Sequence, residues 1–138
     1  MVLKFPTRYQ TCDWNCGPTC LDMIGNYFFG HNLVISHTNY MDGMGLDDIV
    51  EHFEHNELDC EVVSKFSKKF IKKEIDLKNP VIIAVECPYQ KIPHYAVIYG
   101  YEKEGVHIAN YYREDDEILS WKDLKKAYLD EMIVCWEI

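Results

Sequence analysis

Residues 80–110 read PVIIAVECPYQKIPHYAVIYGYEKEGVHIAN. VIIAVE is a short continuous apolar run, and its length and β-branched content predict a strand covered on both faces. The centre of a sheet starts there. Residues 94–101 (HYAVIYGY) and 106–110 (VHIAN) flank Glu102, Lys103, Glu104 and Gly105, a polar link whose glycine can take the positive φ of a hairpin turn. The two runs are expected to pair antiparallel.

Towards the N-terminus the pattern is helical. Leu21, Ile24 and Phe28 lie on one helical face, Pro18 suits a first turn and Gly30 a stop, so residues 17–29 are predicted helix, starting directly after Cys16. Leu46, Ile49, Val50 and Phe53 share a face of a second helix, with Asp47 and Asp48 favouring its N-terminal end. A weaker third helix is expected over residues 67–75. After Ser120, with Asp123 as a partial capping box, a last helix leads into MIVCWEI, read as a strand. Helices come first and the sheet second. The fold class is therefore α+β, N-terminal helices packed on a mainly antiparallel sheet.

With 138 residues the chain has room for one domain, taken as residues 1–138, and no Pro-, Gly- or Ser-rich linker, repeat or low-complexity segment divides it. Apolar residues at 48% and aromatics at 14% can supply a core. Fourteen Lys and Arg against 23 Asp and Glu leave −9, a balance that repels phosphate backbones and anionic membranes. Nucleic acid is not an expected partner. Neither a spanning apolar run nor a secretory signal is read in the sequence, so a soluble, cytoplasmic protein with reduced cysteines is expected, without membrane insertion.

A thiol attacks as thiolate, and a cysteine at a helix N-terminus has its pKa lowered by the unpaired N–H groups there. Cys16 sits at that spot, before Gly17, which would let a substrate backbone approach, and Pro18. Equally, Cys16 reads as a small buried apolar residue. A catalytic thiol needs a base, and His94, at the beginning of a strand and so at a sheet rim, is the best candidate; the alternative is a surface histidine at a loop–strand junction. Asn110, sixteen residues on across the hairpin, is a candidate for orienting the imidazole, or simply ends its strand. Side-chain parity puts His94 and Asn110 on one face only if the hairpin has an odd loop or a bulge. Gln10 could offer an amide to an oxyanion beside the Cys16 N–H, or be an ordinary polar loop residue.

Together these residues resemble the bacteriocin-processing cysteine peptidases, which are papain-like. The resemblance covers about residues 5–136. It rests on Gln10 in QTCDWNCGPTCLDMI, the Cys16-Gly17-Pro18 turn, MGLDDIVEHF, His94-Tyr95 and Asn110 at the position of the family's Asp, followed by Tyr111 where Pro is usual. It implies Cys16 as nucleophile, His94 as general base and acid, Gln10 as oxyanion donor and Asn110 as orienter of His94, acting on a peptide or protein substrate without a cofactor. Members that cut leader peptides after a double glycine are commonly fused to a membrane exporter with an ATPase. Neither is found within these residues, so substrate identity does not carry over.

Other readings compete. Cys12, Cys16 and Cys20 recur every four residues, with His31 and His37 downstream, but the spacing fits a zinc site poorly, and no metal is expected. His52 and His55 with Glu51 and Glu54 read as the solvated side of the second helix. The same nucleophile could serve a deacylase, deamidase or transferase, and the fold could serve a non-catalytic peptide-binding module. Oligomeric state is not legible.

Overall fold

The computed structural model describes residues 1–34, 36–88, 92–111 and 118–138. The chain runs α1 (Cys16–Phe29), a 3₁₀ turn (His37–Tyr40), α2 (Leu46–His55), β1 (Leu58–Val63), α3 (Lys68–Asp76) and β2 (Val81–Glu86). It continues through β3 (Pro93–Tyr101), β4 (Gly105–Ala109), β5 (Ile118–Ser120), α4 (Trp121–Ala127) and β6 (Tyr128–Glu137). The strands are ordered β1-β6-β2-β3-β4-β5, every neighbouring pair antiparallel.

VIIAVE is interior to this sheet as expected. Val81, Ile83 and Val85 alternate with Ile82 and Ala84 across the two faces, and all five are buried. Helices α1, α3 and α4 pack against β2, β3, β4 and β5. Their ends follow local chemistry: Gly30 takes φ 77° to stop α1, Ser67 Oγ accepts the Phe70 N–H at 3.0 Å, and Ser120 Oγ accepts the Asp123 N–H at 3.1 Å.

The strict order of helices before sheet is corrected by β1, which lies between α2 and α3. In LDCEVV only Leu58 is fully buried, Asp59 and Glu61 are exposed, and β1 is an edge strand; charged edges blur the alternation that reveals a strand. The last strand also begins earlier than MIVCWEI, directly where α4 ends at Ala127.

Two irregularities shape one end of the sheet. Ile98 pairs with Ile108 but Gly100 with His107, so Tyr99 is an extra residue in β3. Since Tyr101 pairs with Val106 across an even turn, this bulge is what puts His94 and Asn110 in phase. In β6, Ile83 pairs with Met132 but Val85 with Tyr128, leaving residues 129–131 opposite Ala84 alone, with Asp130 at φ 58°.

Among the described residues no helix is long and apolar enough to cross a membrane.

Candidate active site

Cys16 is the first residue of α1, and α1 packs on β3, whose second residue is His94. Both line one cleft of about 620 Å³, together with Trp14, Met44, Ala84, Tyr95 and Glu131. The nucleophile and base candidates therefore share a cavity, whereas Gln10 is not among its described lining residues.

The imidazole is oriented by backbone, not by a side chain. His94 is 5% exposed, and its Nε2 hydrogen-bonds to the main-chain carbonyl of Asn110. A carbonyl only accepts, so Nε2 carries the proton and Nδ1 keeps its lone pair. Asn110 lies just past β4 with φ 65°, a left-handed conformation that asparagine tolerates better than most residues. Its buried amide turns the other way. Nδ2 donates to Gln10 Oε1 at 3.1 Å and to Tyr95 O at 3.0 Å, while Oδ1 accepts the Gln10 N–H at 2.8 Å. The resemblance implied a carboxamide on His94; here the carboxamide holds Gln10.

Gln10 is consequently fixed from both sides, because its Nε2 donates to Cys12 O at 2.9 Å. It lines a neighbouring recess with Tyr9, Thr11, Cys12 and Asp13, and Asp13 is the residue common to that recess and the cleft. One N–H of the Gln10 amide is spent on Cys12 and a second remains.

Gly17 also serves another purpose than the one read from sequence. A Cβ there would stand 2.8 Å from Met44 Cβ, so its missing side chain admits Met44, a wall of the cleft.

The electrostatic expectation for Cys16 reverses. Backbone groups of Tyr95, Gly17 and Cys16 itself favour the thiolate, but burial outweighs them and raises the thiol above its ordinary 9.0. Burial likewise lowers His94 below 6.5, partly offset by the bond to the Asn110 carbonyl. At neutral pH the pair is thiol and neutral imidazole.

Behind Cys16 lies a network that the sequence reading missed. Asp22, 2% exposed inside α1, accepts from the Val34 N–H at 3.0 Å and from His37 Nε2 at 2.6 Å. His37 Nδ1 then accepts from Asn15 Nδ2 at 3.2 Å, and Asn15 Oδ1 accepts the Cys12 N–H at 3.2 Å. The Cys12 bond fixes the Asn15 amide orientation, and the carboxylate fixes the histidine tautomer. Asn15 stands immediately before Cys16 at the start of α1, with its side chain turned back to the loop and not capping the helix, so the buried carboxylate braces the loop that precedes the thiol. A charge among Leu21, Met23 and Ile24 was the available signal. Asp22→Ala is expected to cost about 2–3 kcal/mol in urea unfolding, because two donors lose their partner.

His37 thus has both nitrogens engaged, and His31 stacks on Phe29 at 5.6 Å. Among the described residues no three His, Cys, Asp or Glu side chains are grouped to hold a metal ion. His52 is more than a solvated residue: its Nε2 meets Tyr40 OH at 2.6 Å.

Solved structures share this architecture. The peptidase domain of Streptococcus ComA, a bi-functional ABC transporter involved in a quorum sensing pathway, superposes with a TM-score of 0.76 at 16% identity, covering 96% of this chain and 98% of that one. A double glycine motif protease from an AMS/PCAT transporter, solved with its leader peptide, gives 0.76 at 15% identity, with 99% and 94% covered. A C39-like peptidase from Bacillus anthracis gives 0.77 at 14%, with 99% and 97% covered. At these identities the likeness establishes the shared fold alone. No curated protein matches the chain. The sequence profile of the peptidase C39 family matches residues 4–137, and on that near-complete match the chain belongs to the peptidase C39 family.

Proposed function

We propose that this protein is a cysteine peptidase that cuts a peptide bond through an acyl-enzyme on Cys16, with residues 1–138 acting as one peptidase domain. The observation that carries the reading is the cleft shared by Cys16 and a His94 whose Nε2 proton is committed to the Asn110 carbonyl. That commitment leaves Nδ1 as the base. In this mechanism His94 Nδ1 takes the thiol proton as the sulfur attacks the scissile carbonyl, and returns it to the leaving amine. The Cys16 N–H and the remaining Gln10 amide proton receive the oxyanion. Water, deprotonated by the same imidazole, releases the acyl group. The leader-bound transporter protease supports a peptide as substrate, and free thiols at all six cysteines suit a reducing compartment such as the cytoplasm.

Digestion of a peptide library, read by mass spectrometry against enzyme blocked at Cys16 with iodoacetamide, tests the reading. Cleavage that stops on blocking supports it, with glycine-glycine sites favouring leader processing. Intact peptides but turnover of acyl esters or amides would move the same thiol to a deacylase or transferase, and no Cys16-dependent turnover at all would leave a peptide-binding module.

The buried pair also sets the pH profile. Protonation of His94 removes the base, and burial pushes that event below 6.5; ionisation of Cys16 removes the proton owed to the leaving group, and burial pushes it above 9.0. kcat/KM is expected to be bell-shaped, with its acid limb below pH 6.5 and its alkaline limb above pH 9.0. An alkaline limb near neutrality would instead indicate a preformed thiolate–imidazolium pair.

A further inference from the structure

The lining of the catalytic cleft has a sign. Asp13 comes from the loop before α1, Asp42 from the loop before α2, and Glu131 from the bulged part of β6, so three separate segments bring carboxylates to the cavity that holds Cys16. No lysine or arginine is among its described lining residues. Glu131 is held in place: Tyr95 OH donates to its Oε1 at 2.6 Å, and the bulge that presents it is bent at Asp130, φ 58°. The remaining walls include Trp14, Met41 and Leu129, which offer apolar surface between the charges. A concave site with one sign of charge concentrates ligands of the other sign and rejects like charge.

We infer that the cleft selects a cationic peptide, with lysine or arginine set among apolar residues beside the scissile bond. This deepens the peptidase reading and rests on it. Asp13 and Asp42 are exposed and screened by salt, so they govern capture; Glu131, half-buried, fixes where the cation sits. An acidic peptide meets repulsion in the same place.

Charged thiol reagents measure the sign directly. The full-length protein is treated with a trimethylammonium-ethyl and a sulfonatoethyl methanethiosulfonate, and the rate at Cys16 is followed by mass spectrometry. The cation-to-anion rate ratio is normalised to that of 2-mercaptoethanol. At low salt the normalised ratio is expected to be about tenfold above one, and to shrink at high salt, as steering of charged ligands does. Asp13→Asn with Asp42→Asn should lower it at least threefold, whereas Asp47→Asn with Asp59→Asn, the same change in net charge elsewhere, should leave it unmoved. In parallel, peptides differing only by lysine or glutamate beside a cleaved bond should favour lysine about tenfold in kcat/KM, and Glu131→Gln should narrow that preference.

A normalised ratio near one, or an equal response to both double variants, overturns the inference while leaving a reactive Cys16 intact. Thermal destabilisation by Asp13→Asn with Asp42→Asn at an unchanged ratio also overturns it, since the carboxylates would then only balance the N-terminus of α1. Failure of both reagents to reach Cys16 in the folded protein overturns the peptidase reading itself.

Discussion

Cys16→Ala, His94→Ala and the double variant are expected to reduce kcat/KM to one common floor, about 10⁴-fold below wild type, instead of multiplying their losses. The reason is geometric. A half-buried thiol raised above 9.0 holds little thiolate at neutral pH, so in the proposed mechanism the sulfur depends on the Nδ1 lone pair of His94 for activation. Conversely, the imidazole has nothing to activate once the sulfur is gone. Each residue is useful only through the other, and a double-mutant cycle should return a coupling nearly as large as either single loss. Purely additive losses would show two independent roles and would count against acyl transfer by this pair. Circular dichroism on each variant separates this outcome from misfolding.

Asn110 gives the second large effect, on stability as well as rate. Asn110→Ala is expected to lower the unfolding free energy by about 2–4 kcal/mol, from an alanine forced into the left-handed region and from donors and acceptors left unpaired at Gln10 and Tyr95. Asn110→Gly keeps the conformation at φ 65° and loses only the amide, so the gap between the two variants in urea reports the backbone contribution alone. The His94 bond goes to a carbonyl that every residue has, and so the glycine variant should retain more activity than the alanine variant. Asn110→Asp, which installs the residue usual in the resembling family, is also expected to destabilise. A carboxylate cannot donate to Gln10 Oε1 and Tyr95 O, where the asparagine amide now does. Stability equal to wild type in Asn110→Asp would mean that this loop rearranges.

Much of this was legible in the chain because apolar periodicity reports burial. Val81 to Val85 of VIIAVE are all buried and read as interior; Leu21, Ile24 and Phe53 mark helices that form. Strand β1 was lost since an edge strand with Asp59 and Glu61 outward resembles a loop. Within the site, Cys16 and His94 could be singled out by their positions at element ends. Parity could demand an odd loop or a bulge without saying which, and Tyr99 supplied the bulge. Sequence could not show that Asn110 serves His94 through its carbonyl, because any residue has one. Nor could it show that Asp22, His37 and Asn15 join, since polar residues in separate segments carry no periodic signal. The raised Cys16 thiol was misread for a related reason: the helix N-terminus is visible in sequence, but the burial that overrides it is a property of the assembled cleft.

The extra residue in β3 has a consequence for how this chain tolerates length changes. Because Tyr99 restores the phase across an even turn, removing one residue between the paired positions 98 and 108 while both the bulge and the four-residue turn persist would slip the two arms by one position and put them half a period out of step. Insertions or deletions there are compatible with the site only in pairs, or as a single change matched by loss of the bulge. What is guarded at that corner is arithmetic, and the identity of the amino acid that completes the count matters less than the count.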